Sequence, residues 1–162
     1  MDRIDKCNYY LDIAEVILER GTCLRKNYGS VIVKNDEIIS TGYTGSPRGT
    51  VNCTDLGRCM REELNIERGT HYELCRSVHS EANAIISASR SEMLGASLFL
   101  VGKDVKTGEY VENANSCIMC KRLIINAGIC QVVIRDTKKG YRVIQVKDWV
   151  EQSLDIFREK GY

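Results

Sequence analysis

"SVIVKNDEIISTGY", residues 30–43, holds two apolar runs separated by the polar turn Lys34-Asn35-Asp36-Glu37. That pattern predicts a β-hairpin, and so at least one antiparallel strand pair. The elements around it alternate in type. Upstream, Ile4, Leu11, Ala14, Ile17 and Leu18 recur at helical spacing and Gly21 offers a stop, which predicts an amphipathic helix over residues 3–20. Downstream the pattern predicts a helix over 79–90, the strand "SLFLVGK" and a helix over 117–127 closed by Gly128. The strand "CQVVIRD", a short strand "YRVIQV" and an amphipathic helix starting near Asp148 follow. This order, α-β-β-α-β-α-β-β-α, predicts a three-layer α/β/α domain with a mixed central sheet of about five strands. No repeat, low-complexity segment or linker divides residues 1–162, which read as a single domain.

The 162 residues are 43% hydrophobic and 28% charged, ordinary values for a soluble globular chain. A net charge of +1 gives no electrostatic case for binding nucleic acid in bulk or a membrane surface. The basic run "RDTKKGYR" reads as a turn on the same ground. No apolar run approaches the roughly 20 residues that span a bilayer. "MDRIDKCNYY" has no signal-peptide core, so the expected location is the cytoplasm.

Eight cysteines stand out against that background. In a reducing compartment they point to metal binding more than to disulfides. Cys7 and Cys130 fall in apolar stretches and read as core residues. Cys53, Cys59 and Cys75, with His71, lie in an unpatterned polar stretch from Thr44 to Ser77, broken only by a helical turn near Met60–Leu64. A loop that long in a compact domain is usually functional or anchored.

Two short motifs carry chemistry. In "SVHSEANAI", residues 77–85, His79 and Glu81 stand two apart in a first helical turn, where either residue alone is ordinary. In "NSCIMCKRLIINAG", Cys117 and Cys120 sit i, i+3 at another helix start, which puts both sulfurs on one side of the turn and favours thiolates. C-x-x-C alone is also a redox motif or half of a structural zinc site. His79 with the two cysteines makes three ligands, and three-ligand zinc sites keep a fourth position open for water. Glu81 can then shuttle that water's proton.

H-x-E followed by C-x-x-C resembles the signature of the zinc-dependent cytidine and deoxycytidylate deaminases. The resemblance covers roughly Thr22 to Asp136, through "GTCLRKNYGSVIV", "IISTGYTGSPRG", "NCTDLGRC", "HYELCRSVHSEANAI" and "CIMCKRLIINAGI" in order. It is closest to the bacterial and archaeal deoxycytidylate deaminases. It implies that His79, Cys117 and Cys120 hold a catalytic zinc and that Glu81 is the proton shuttle. The implied reaction is hydrolytic attack at cytosine C4, converting dCMP to dUMP and ammonia. Many microbial members of that branch carry a second, structural zinc. Its candidate ligands here are Cys23, Cys53, His71 and Cys75, with Cys59 as an alternative. His71 and Cys75, i, i+4, would share a helical face if that segment is helical. Arg25 and Lys26 match the phosphate-contacting region, and Arg48 follows "GYTG". Family members often form homo-oligomers, commonly hexamers, and respond to dCTP and dTTP as effectors.

Three positions depart from the family pattern. Ser80 replaces the common Ala of H-x-E and keeps the backbone groups that could address the base. Ser116 replaces a Pro, and either residue can start a helix. Thr44 replaces the Asn of "GYNG", which in the family lies near the nucleotide, so substrate identity rests on less than reaction class. The long link "VGKDVKTGEYVENANS" before Cys117 reads as a surface loop, with a hairpin-like flap as the alternative. One competing reading keeps the chemistry on a free nucleoside, another aminated base or a base in RNA, against which the balanced charge argues. Another is a non-enzymatic zinc-stabilised nucleotide sensor, where Glu81 would have no role.

Overall fold

The computed structural model describes residues 1–156 and Arg158. Its helices are α1 Lys6–Leu18, α2 Cys53–Leu56, α3 Met60–Glu63, α4 Ser80–Ile86, α5 Arg90–Met93, α6 Ile118–Ala127, α7 Val146–Glu151 and α8 Ser153–Ile156. Its strands are β1 Lys26–Lys34, β2 Glu37–Tyr43, β3 Ser97–Asp104, β4 Gln131–Arg135 and β5 Tyr141–Gln145. They form one five-stranded sheet in the order β2-β1-β3-β4-β5. Only the β3–β4 pair, joined through α6, is parallel. The mixed sheet of the expectation is there, with helices on both faces.

The hairpin forms where the sequence places it. Asn35 and Asp36 both have positive φ, +52° and +63°, the left-handed pair that a two-residue hairpin turn requires. Along β1 the side chains then alternate between two cores. Val31 and Val33 join Phe99, Val101 and Val133 beneath Leu11, Ala14 and Leu18 of α1. Ile32 joins Leu98, Leu100, Val132 and Ile134 on the other face, with Ala84, Ile124 and Trp149 from α4, α6 and α7. Strands covered on both faces read as continuous apolar runs, which is why "SVIV" shows no alternation.

α1 is bound to the sheet by charge as well. The Arg135 side chain is fully buried, and its Nη1 reaches Asp12 at 2.7 Å and Glu15 at 2.8 Å while Nη2 donates to Asn8 Oδ1 at 2.9 Å. On the opposite face α4 lies almost against backbone. A Cβ on Gly42 would collide with the Ser80 carbonyl oxygen and the Ala84 amide nitrogen.

Several boundaries differ from expectation. α1 starts at Lys6 because Asp5 caps it, accepting from Asn8 N–H at 2.9 Å. The helix expected over 79–90 ends at Ile86, and the Ser89–Glu92 capping box starts α5 afresh. The last helix begins at Val146 and is interrupted after Glu151, and its continuation beyond 156 lies outside the described residues apart from Arg158. Cys130 is exposed, and its thiol meets the Gly95 carbonyl at 3.3 Å, so it is not a core residue; Cys7 is half-buried against the α1 cluster. The link after β3 is the hairpin-like alternative. Asp104 N–H donates to Glu109 O and Val111 N–H to Gly102 O, both at 2.9 Å, which folds 105–111 back on the strand. Among the described residues no helix is long and apolar enough to cross a membrane.

Gly42→Ala should therefore cost about 1–3 kcal/mol, the usual penalty for overpacking. Urea unfolding that leaves stability unchanged would show that α4 does not need this contact.

Candidate metal centre

His79 and Cys117 are the N-caps of α4 and α6, so both helices begin at one point. The segment before His79 is tied to the end of β2 by reciprocal Gly45–Val78 hydrogen bonds of 3.2 and 2.7 Å. Asn83 reinforces this by donating to Tyr43 O at 2.8 Å. From the other side, the Cys117 sulfur accepts from Cys120 N–H at 3.5 Å, which closes the first turn of α6 around its own cap.

The ligating atoms of His79, Cys117 and Cys120 all lie within 4.8 Å of one another, and no other such group occurs among the described residues. His79 Nδ1 is 3.4 Å from Cys117 Sγ and 3.5 Å from Cys120 Sγ. Zinc bonds of about 2.0 Å to nitrogen and 2.3 Å to sulfur, at tetrahedral angles, separate such donors by about 3.6 Å. The donor set fits zinc in type and in spacing. Its electrostatics agree. The Cys117 thiol is pushed far down, first by the hydrogen bond from Cys120 and then, against burial, by His79. Cys120 is pushed up by donating that bond and by burial. For His79, burial disfavours the charged ring, but the bond and charge of Cys117 outweigh it and raise the pKa.

Glu81 follows two residues after the His79 cap and is only 4% exposed. Burial is the main reason its carboxyl rises above the usual range; the charge on His79 works against this. Ser80 Oγ donates to Glu81 Oε2 at 3.2 Å and shares a 2.7 Å hydrogen bond with Ser30. Ser80 is fully buried and does not line the cleft, so its hydroxyl positions Glu81 and does not face a ligand. Ser116 is also buried, close enough to Glu81 to favour its ionised form.

His79, Glu81 and Cys117 open into one cleft. Arg25, Lys26 and Thr44 line it as expected, Thr44 with its hydroxyl accepting from Tyr28 N–H at 3.0 Å. Arg48 does not line it. That side chain lies in a separate depression and reaches Ser87 Oγ at 3.3 Å. Tyr28, Arg61, Arg68, Tyr72 and Asn115 also line the cleft. Tyr28 reaches it from β1, and Arg61, Arg68, Tyr72 and Asn115 reach it from the segments between strands, where no motif marks them. Arg61 is 5% exposed and donates to His71 O at 2.8 Å and Glu67 O at 3.2 Å. Its guanidinium stands over the Tyr72 ring, 4.9 Å from the centroid, and that ring meets His79 edge-on at 4.9 Å.

The second cysteine set is not assembled. His71 has φ +48°, which breaks the helical geometry its spacing to Cys75 requires, and its exposed ring turns to Glu73 at 3.0 Å. Cys23, Cys59 and Cys75 line the cleft, and Cys53 approaches the Ser77 hydroxyl at 3.9 Å. Burial raises the Cys75 pKa, with the nearby Cys23 and Cys53 adding to it.

A thiolate–imidazole centre at two converging helix starts, with a buried carboxylate beside it, is the site of a metal-dependent hydrolase class. A family model for the cytidine and deoxycytidylate deaminase zinc-binding region matches residues 4–136. The chain belongs to that family, and zinc is its metal. It is 30% identical over 135 residues to a deoxycytidylate deaminase of Mycobacterium phage D29, covering 82% of this chain and 96% of that protein. It is 31% identical over 126 residues to the deoxycytidylate deaminase of Schizosaccharomyces pombe and 32% over 154 residues to that of Saccharomyces cerevisiae. Those alignments cover 78% and 95% of this chain but only 35% and 42% of the yeast proteins. The cyanophage S-TIM5 dCMP deaminase in complex with dCMP and dUMP has the same fold, with TM-score 0.57, 21% identity and 94% of each chain covered.

Arg61→Ala should loosen the loop that walls the cleft, since hydrogen bonds from a charged donor contribute about 1.5–3 kcal/mol each. Amide exchange is expected to rise across residues 66–76 and stay unchanged in β3 and β4. Equal rises in both would mean that Arg61 supports the whole fold.

Proposed function

We propose that this protein deaminates dCMP to dUMP, releasing ammonia. The observation that carries the reading is the buried Glu81 carboxyl beside the His79–Cys117–Cys120 centre, at the reacting end of one cleft. A purely structural metal site has no use for that carboxyl. The names of the phage and yeast relatives support dCMP as the substrate.

His79, Cys117 and Cys120 hold the zinc, which when bound activates water near neutral pH. Glu81 takes a proton from the attacking water through its carboxylate and returns it to the ring nitrogen N3. A bond forms from the water oxygen to C4. The proton left on that oxygen then passes through Glu81 to the exocyclic amine, the C4–O bond becomes the carbonyl of dUMP as the C4–N4 bond breaks, and ammonia leaves. Burial suits Glu81 to this exchange, because it makes the protonated form easier to hold between transfers. Arg25, Lys26 and Arg68 supply cationic partners for the phosphate, and the Thr44 hydroxyl stands on the cleft wall in the place the family gives to Asn. The site works with free thiols and therefore in a reducing compartment, the cytoplasm. By resemblance we extend the reading to a homo-oligomer with dCTP and dTTP as effectors, which sizing and assays with and without dCTP will check.

We further propose one zinc per chain. His71 is turned to Glu73, and neither it nor the alternative ligand Cys59 forms a close ligand group with Cys23, Cys53 and Cys75 among the described residues. Elemental analysis of protein never exposed to chelator should give one, and two would restore the structural site.

Glu81→Gln is expected to keep zinc content and thermal stability while lowering kcat at least 100-fold, within the usual range for a lost acid–base group. The substrate panel is dCMP, CMP and deoxycytidine, read as ammonia release. Preference for either of the last two would overturn dCMP as substrate. Retained activity in the variant would overturn the mechanism.

A further inference from the structure

The cleft meets a second cavity at Lys26 and Arg68, which line both. His79, Glu81 and Cys117 line the cleft and not the second cavity, whereas Asp104, Glu109 and Glu112 line the second cavity and not the cleft. Two cations therefore stand between the reacting end and a wall of three carboxylates. Lys26 faces Asp104 across the β1–β3 register, and its pKa is lowered by burial and then by the Arg68 charge, so the two cations share one field.

The wall is built from the return that follows β3. Asp104 is fixed there, its carboxylate accepting from Lys106 N–H at 2.8 Å and Thr107 N–H at 3.1 Å. Glu109 is placed by its carbonyl, which accepts from Asp104 N–H at 2.9 Å, and Glu112 follows the buried Val111. The second cavity has a volume of about 470 Å³. There is room in it for further phosphates, so steric fit does not limit the length of a phosphate chain. Charge does.

We propose that Glu109 and Glu112 make the site selective for a nucleoside monophosphate over a diphosphate or triphosphate. This rests on the reading that the cleft takes a cytosine nucleotide. A 5′-monophosphate ends against Lys26 and Arg68. Any further phosphate passes beyond them into three carboxylates, and like charges at short range oppose binding. The wall makes no contact with the monophosphate.

The test is the double substitution E109Q/E112Q, which keeps the side-chain shape and leaves the turn-building Asp104 intact. Rates of ammonia release are measured with dCMP and with dCDP. The ratio of kcat/KM for dCDP to that for dCMP should rise about tenfold, on the order expected for removing two nearby charges, and the change should sit in KM. Kinetics with dCMP should stay within about twofold, because a wall beyond the phosphate is screened from it. Added salt should narrow the gap between the two substrates in the unsubstituted protein and have little effect in the variant. The exposed single change E112Q should move the ratio the same way by less, and serves if the double variant folds poorly.

An unchanged ratio with dCMP turnover intact overturns the proposal, as does equal use of dCDP and dCMP by the unsubstituted protein. If the zinc-loaded protein turns over neither nucleotide, the functional reading fails separately. Equilibrium binding of dCMP and dCDP to both proteins still decides the wall, and a variant that gains no relative affinity for dCDP refutes it.

Discussion

A 2.7 Å hydrogen bond between the Ser30 and Ser80 hydroxyls, closed to water, holds the start of α4 on the hairpin beneath it. Ser40 adds a second by donating to Ala84 O at 2.7 Å, and Gly42 lets the helix backbone come down onto β2. Apolar contact is non-directional and tolerates a helix sliding over a sheet. These hydroxyls do not. A shift of one residue along α4 would leave two of them unpaired inside the core, at about 1–3 kcal/mol each. His79 and Glu81 are carried on the first turn of that helix, so their positions follow from the serines of the strands.

The opposite face solves the same problem with charge. Arg135 reaches α1 through Asp12, Glu15 and Asn8, and Glu15 also takes Lys103 and the Tyr110 hydroxyl. A guanidinium presents donors in a fixed fork, so this cluster sets both the distance and the rotation of α1 on the sheet. Truncating one member would strand a buried charge. The sheet is thus held between two helical layers whose registers are set by polar contacts, while the two apolar clusters supply the driving force for burial. Tyr110 joins the return after β3 to the same cluster, and through it the wall of the second cavity is linked to α1.

How much of this was legible in the sequence depends on the range of each contact. The hairpin, β3, α6 with its Gly128 stop, and the His79–Cys117–Cys120 centre follow from local period, turn chemistry and motif spacing. The stretch from Thr44 to Ser77 resisted such a reading. Its short helices rest on caps: Asn52 and Asp55 form a capping box for α2, a signal present in the letters "NCTD" but only four residues long. His71 misled, because i, i+4 spacing has meaning on a helix, and His71 sits in the left-handed region ahead of a single 3₁₀ turn. Arg48 misled for a related reason. Following "GYTG" in sequence does not place a side chain beside Thr44, since the chain turns away after Gly45 pairs with Val78. Arg61, Arg68 and Asn115 carry no local mark at all.

That division separates the two halves of the activity. The reacting groups sit on helix starts whose register is fixed by the sheet, which is what zinc ligation and proton transfer demand of geometry. The loop around Arg61 to Tyr72 walls the cleft, and the return from Asp104 to Asn113 walls the second cavity beyond it. Neither segment supplies a ligand or an acid–base group. The loop is ordered by one arginine holding two carbonyls, and the return by backbone hydrogen bonds to a strand that exists without it. Either can change sequence while His79, Cys117, Cys120 and Glu81 stay in place. A chain that keeps H-x-E and C-x-x-C therefore keeps its chemistry, and the identity of its substrate has to be sought in the residues that line the cleft from outside the motifs.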